Sequence, residues 1–251
     1  MREWITPEVL ALLRADPWFG GVPKDFEDDL LSLATPRRLK PGEHLFFRGD
    51  PADGLYAMLE GTLRVSGVTN AGKEAILSLV DAPSWFGEIA LFDRLPRTHN
   101  GVAEGHTRLL HVPQAGLASL LERAPHHWRD FGVLMALKVR LAFIGMEDLA
   151  LLPAEGRLAR RLLLLARSSP SAQTPGPVVV PIGQSQLGMM LSLSRQTTNQ
   201  VLQSLQERGI VHIAYGRIEV LDLDKLAEAA DLSAAERQML GRLHPGAPLR
   251  G

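Results

Sequence analysis

Apolar and polar positions change their rhythm three times along the chain. Over residues 8–34 apolar residues cluster, as in EVLALLRADPWFGGV, where Val9, Leu10, Leu12 and Leu13 precede Pro17 and the Gly20-Gly21 pair. Clusters broken by proline and glycine predict short helical pieces. From about 36 to 115 the runs shorten. HLFFRGD, GLYAMLEGTLRVSGV, EAILSLV and TRLLHV are separated by Gly, Asp, Asn or Pro, which predicts several short strands closed into an antiparallel barrel or jelly roll. Gly42, Gly49, Gly54, Gly61, Gly67 and Gly72 fall at the predicted turns.

The rhythm then lengthens. Residues 126–150, HHWRDFGVLMALKVRLAFIGMEDLA, contain no proline, and Leu134, Leu137, Leu141 and Ile144 recur at spacings of three and four. One stripe at that period predicts a long helix with a coiled-coil-like seam, either joining two chains or packing on the chain's own barrel. Pro153 ends this helix, and EGRLARRLLLLARSS restarts one. PSAQTPGP reads as a loop. Residues 178–223 then form a third unit: a strand-like VVVPI, two helical stretches, and IVHIAYGRIEVLD turning at Tyr215-Gly216. DKLAEAA is a possible further helix, and HPGAPLRG is expected to fray.

Within that unit, GQSQLGMMLSLSRQTTNQVLQSLQERGIV gives one helix an apolar face of Leu187, Met190 and Leu191. Ser194 is placed to cap the helix that follows. There Thr198, Val201, Leu202 and Leu205 share an inward face, while Arg195, Gln196, Asn199 and Gln200 face outward near the N-terminal end. Guanidinium and amide donors on the first turns of a helix suit base edges in a major groove. Gly188 gives two crossing helices close contact, and Gly209 is a natural stop. Residues 184–218 hold three Arg and one Glu, a positive bias suited to phosphates. The pattern is a winged helix-turn-helix with residues 210–221 as the wing. The competing reading is a helical hairpin with a solvated polar face.

Composition narrows the chemistry. The 251 residues are 45% hydrophobic and 22% charged, with 27 Lys plus Arg against 28 Asp plus Glu. This is the balance of a globular protein. With no cysteine, disulfides and cysteine-ligated zinc or iron–sulfur sites are excluded. No apolar run is long enough for a bilayer, and MREWITPEVL lacks a signal-peptide core, so a cytoplasmic location without membrane partners is expected. No G-x-S-x-G, H-E-x-x-H, G-x-G-x-x-G or P-loop spacing occurs, so no enzyme is expected. His126-His127 is the only adjacent histidine pair; it reads as a solvated face, and no metal is expected.

Residues 8–223 resemble the CRP/FNR family of bacterial transcription regulators. LKPGEHLFFRGDPADGLYAMLEGTLRVS is similar to the opening of the family's cyclic-nucleotide-binding barrel, EGRLARRLLLLA to the first helix of its DNA-binding domain, and SRQTTNQVLQSLQERGIV to its recognition helix. The resemblance implies an α+β fold divided into a cyclic-nucleotide-binding-like sensor barrel at 1–125, a long dimerisation helix at 126–152, a winged helix-turn-helix at 153–223 and a tail at 224–251. It implies a homodimer joined through Leu134, Leu137, Leu141 and Ile144. That dimer would bind near-palindromic double-stranded DNA through Ser194, Arg195, Gln196, Thr197, Asn199 and Gln200, and would work with RNA polymerase. Arg195 takes the place of the residue that pairs with guanine. Gln196 and Gln200 stand where the family's best-known member has an acid and a second arginine. Ser192 replaces a glycine common in that turn.

FGEIALFDRLPRT resembles the family's phosphate-binding cassette. By that resemblance Gly87, Glu88, Arg97 and Thr98 hold a cyclic nucleotide, cyclic AMP or cyclic GMP. EIALF would offer free N–H groups to an anion, Arg97 a fork of donors to the phosphate, and Glu88 an acceptor for the ribose 2′-hydroxyl. Alternatively Glu88 and Arg97 pair with each other. Ala142 and Phe143 fall where the best-known member has a Thr-Ser pair for the purine, and His99 and Asn100 stand where small or hydroxyl residues are common. Two other readings remain: a ligand-independent regulator of the same family, and a nucleotide-binding module acting on a protein partner.

Overall fold

A computed structural model describes residues 4–68, 72, 74–169, 176–233 and 236. The first helix, α1 (Pro7–Arg14), starts where Thr6 accepts the Val9 backbone N–H at 3.3 Å and Pro7 supplies a preset first turn. A single 3-10 turn at Phe19–Gly21 and α2 (Lys24–Leu33) follow. Arg14 grips Glu27 with two hydrogen bonds of 2.7 Å, and Lys24 adds a third. The Arg14 hydrogen bond, foremost, holds the Glu27 carboxyl below its usual pKa against the opposing effect of burial.

Eight strands follow: β1 (Thr35–Leu39), β2 (His44–Phe46), β3 (Gly54–Glu60), β4 (Thr62–Val68), β5 (Glu74–Asp81), β6 (Ser84–Phe86), β7 (Asn100–Ala103) and β8 (Thr107–Pro113). They form two four-stranded antiparallel sheets, ordered β1-β8-β3-β6 and β2-β7-β4-β5. Leu45, Tyr56, Met58, Leu63, Phe86 and Leu109 pack into one core. A second core joins the sheet carrying β3 and β8 to α1, α2 and α4 (Gln114–Arg123), around Trp18, Phe19, Phe26, Trp85 and Phe131. Of the predicted turn glycines, Gly67 is a correction, because it lies inside β4; Gly54 opens β3 with positive φ, and Gly42, Gly49, Gly61 and Gly72 also have positive φ.

A 3-10 turn at Pro125–His127 leads into α5 (Trp128–Leu151). His127 corrects the expectation of a solvated pair. It is 1% exposed, its ring tilted 37° to that of Phe26 at 4.6 Å between centres, with its Nδ1 3.1 Å from Asp130 Oδ2. Leu134 is also a correction. It is 4% exposed, buried in the chain's own second core with Leu137 against it. The side chains α5 leaves exposed include Val139, Phe143 and Met146, the last two 66% and 64% exposed. At 100° per residue Phe143 lies about 180° around the helix from Leu134. The helix therefore carries two apolar stripes, and periodicity alone cannot say which one faces the barrel.

The chain divides into units Met1–Arg140 and Leu141–Gly251. In the second, α6 (Ala154–Ser168) buries Leu158, Leu162 and Leu163. Then come β9 (Val178–Val180), α7 (Gln184–Met190), α8 (Arg195–Glu207), β10 (Val211–Ala214), β11 (Arg217–Val220) and α9 (Leu223–Ala229), with the strands ordered β10-β11-β9. The expected loop at 170–177 falls largely outside the described residues, as does HPGAPLRG. The start of the expected tail is α9, packed on α6 through buried Leu226 and Ala227. Arg160 of α6 clasps it by donating to the Ala230 and Asp231 carbonyls at 2.8 Å and to Glu236 at 2.7 Å. Among the described residues no helix is long and apolar enough to cross a membrane.

Candidate functional site

The cassette begins at Gly87, whose φ is +102°; a Cβ there would lie 2.7 Å from the Gly54 carbonyl oxygen. Only glycine fits both the backbone conformation and this close approach. Glu88 follows at 1% exposure, then α3 (Ile89–Asp93) with Ala90 and Leu91 buried. At five residues α3 is a weak source of helix-end field, so the capacity for an anion rests on Arg97.

Arg97 and Glu88 do not pair with each other. Arg97 Nη2 donates to Asp53 Oδ1 at 2.7 Å and to the Gly54 carbonyl at 2.8 Å. Its guanidinium carbon lies 4.8 Å from the Phe46 ring centre and 5.6 Å from that of Tyr56. Its Nε is buried without a hydrogen-bond partner. A buried charged donor left unpaired is costly, and an incoming phosphate oxygen fits that unmet need. Burial tends to raise the Asp53 pKa, but hydrogen bonds from the Tyr56 hydroxyl and Arg97 outweigh it and hold the carboxyl below its usual value. Burial, and then the bond to Asp53, push the Tyr56 hydroxyl upward.

Glu88 Oε2 accepts from Lys138 Nζ of α5 at 2.7 Å. This pair neutralises a buried carboxylate that would otherwise be expensive, and ties the cassette to the long helix. Thr98 is exposed and its hydroxyl lies 2.8 Å from His99 Nδ1. The unusual Asn100 accepts the Arg48 backbone N–H at 2.8 Å, and the backbones of Arg97 and residues 49–50 exchange two bonds of 2.8 Å. Asp53, Tyr56 and Lys138 escaped sequence reasoning, because their partners are distant in the chain. The lone lysine of α5, set among apolar residues, was the available signal.

In the second unit, Ser194 caps α8 by accepting the Thr197 N–H at 3.0 Å. Thr198, Leu202 and Leu205 are buried and Val201 half-buried. A Cβ on Gly188 would lie 2.7 Å from Thr198 Oγ1, so α7 and α8 cross at contact distance. Ser192 adopts φ +54°. On the outer side Arg195, Gln196 and Gln200 are exposed and Asn199 half-buried, its Oδ1 without a partner. With Gln203, Ser204 and Glu207 they make up one polar face of α8. Among the described residues Arg195 makes no ion pair. Gln206 accepts the Ile213 N–H at 2.8 Å, fixing the wing to α8, and Tyr215 stands fully exposed at its tip.

Two family models match: a cyclic nucleotide-binding domain over residues 36–124 and a Crp-like helix-turn-helix domain over 156–229. The cyclic AMP receptor protein of Thermus thermophilus is 30% identical over 218 residues, spanning 87% of this chain and 98% of that protein. A CRP/FNR-family transcriptional regulator of Thermus thermophilus superposes with a TM-score of 0.64 at 28% identity, covering 79% of this chain and 99% of the other. FixK2 from Bradyrhizobium japonicum superposes at 0.71 with 21% identity, covering 80% and 99%, a likeness that shows the fold. With its sensor barrel and helix-turn-helix in this order, the chain belongs to the CRP/FNR family of transcription regulators.

Proposed function

We propose that this regulator acts as a homodimer whose affinity for near-palindromic DNA is set by a cyclic nucleotide, with cyclic AMP the first candidate because the Thermus relative is a cyclic AMP receptor. The observation that carries the reading is Arg97: a guanidinium with an 8% exposed side chain and an unmet Nε donor, in the same cassette as a buried Glu88. The phosphate takes the free donor and competes with Asp53 for Nη2. The ribose hydroxyl approaches Glu88, whose other partner, Lys138, belongs to α5. The ligand thus favours one arrangement of α5, and it shifts the equilibrium only by its differential affinity for the two states. Gly87 lets the backbone approach, and Thr98 offers a hydroxyl once it releases His99.

Dimerisation uses the outer stripe of α5, Val139, Phe143 and Met146, exposed in the single chain at coiled-coil spacing. Leu141 and Ile144, half-buried, flank it. Each protomer then presents one α8 to a half-site. Arg195 reads a guanine, while Gln196 and Gln200 favour adenine contacts. The test is site selection from random duplexes with and without cyclic AMP or cyclic GMP. Enrichment of two-fold-related half-sites retaining one guanine, dependent on nucleotide, is expected. Nucleotide-independent enrichment would remove the ligand from the reading. Loss of symmetry would remove the dimer.

A further inference from the structure

A cluster at the entry to α5 stands apart from both the cradle and α8. Asp25 comes from the first turn of α2, and His126 and His127 from the 3-10 turn at Pro125–His127. One donor atom from each lies within 4.8 Å of the other two. His126 Nε2 and Asp25 Oδ2 are 3.8 Å apart, too far for a hydrogen bond, so neither satisfies the other. The two imidazole centres are 4.0 Å apart.

His127 is the fixed member. It is 1% exposed, its ring centre lies 4.6 Å from that of Phe26, and its Nδ1 is 3.1 Å from Asp130 Oδ2. With Nδ1 engaged by Asp130, Nε2 is the nitrogen left for a ligand. Among the described residues nothing hydrogen-bonds to Nε2. A carboxylate behind an imidazole is the outer-shell arrangement that orients metal-ligating histidines.

We propose that Asp25, His126 and His127 bind one divalent transition-metal ion, with Asp130 as the residue that positions His127. Two imidazoles and one carboxylate suit ions such as Zn2+, Co2+ or Ni2+ rather than all-oxygen Mg2+ or Ca2+. Three protein ligands leave an open position for water. Tetrahedral ligands at about 2.0–2.1 Å from a zinc ion lie about 3.3 Å from one another. His126 and Asp25 have side chains 66% and 67% exposed, so both reach that spacing by rotamer adjustment around the fixed His127. The ion joins α2 to the entry of α5, the helix that also contacts Glu88.

Calorimetric titration of chelator-stripped full-length protein with Zn2+, alongside visible spectra with Co2+, tests the assignment. One ion per chain is expected, with Mg2+ inert. Asp25→Asn and His126→Ala each weaken Zn2+ binding by at least about tenfold while leaving the fold intact, since both side chains are exposed. Asp130→Asn weakens it by about 10–100-fold, yet at saturation gives the same Co2+ spectrum. Absence of Zn2+ binding by the parent, or parent-like affinity in either ligand variant, would overturn the proposal.

Discussion

Replacing Arg97 by alanine separates what the residue does for the fold from what it does for a ligand. Its guanidinium donates to Asp53 and to the Gly54 carbonyl and lies over Phe46 and Tyr56. The Asp53 side chain is 43% exposed, so that ion pair contributes at most about 1 kcal/mol. A charged donor on a buried carbonyl contributes about 1.5–3 kcal/mol, and each cation–π contact about 0.5–1 kcal/mol. These terms share one group and do not add. Asp53 also keeps the Tyr56 hydroxyl. The net cost is about 2–3 kcal/mol. In a unit ending at Arg140, each kcal/mol moves the midpoint by roughly 2–4 °C, so the sensor unit melts about 5–10 °C lower. It remains folded at room temperature. Removing one side of a desolvated charge pair costs about 2–5 kcal/mol of binding, so cyclic AMP affinity falls by roughly 30-fold or more. Differential scanning fluorimetry and calorimetry, each with and without cyclic AMP, read the two effects separately. A variant that melts lower but binds the nucleotide as tightly as the parent refutes the cradle and leaves Arg97 a purely structural residue.

Three further outcomes follow from the same geometry. Arg195→Ala costs about 1–3 kcal/mol at the selected site; an equal loss on random DNA, measured by fluorescence anisotropy, would show that Arg195 meets only phosphate. Phe143→Glu places a charge on the exposed stripe of α5 and yields monomers by light scattering, whereas Leu134→Ala leaves the dimer and lowers stability by about 2–5 kcal/mol; the reverse result would return the seam to the Leu134 side. Ser192→Gly relieves a left-handed backbone and raises stability by about 1 kcal/mol, read from denaturant midpoints at unchanged slope.

Some of this was legible residue by residue. The capping serine, the amide-rich first turns of α8, the stop at Gly209 and the Tyr215-Gly216 turn are local, decided by hydrogen bonds and backbone preferences within a few positions. So is the change from short strands to a long helix, because side-chain period follows backbone geometry. Gly87, Glu88, Arg97 and Thr98 lie close enough in the chain to read as one cassette.

Tertiary structure decided which groups those residues meet. Arg97 finds Asp53, 44 positions earlier, and Glu88 finds Lys138, 50 positions later, because sheet pairing and helix packing bring together segments that no local spacing relates. Leu134 and Phe143 look equivalent along the chain. They differ in that Leu134 is buried in the second core of its own unit while Phe143 is exposed. His126 and His127 are neighbours in sequence, yet packing against Phe26 buries only one. Local chemistry sets what each residue can offer, while desolvation and distance, properties of the folded chain alone, determine where the offer is taken up.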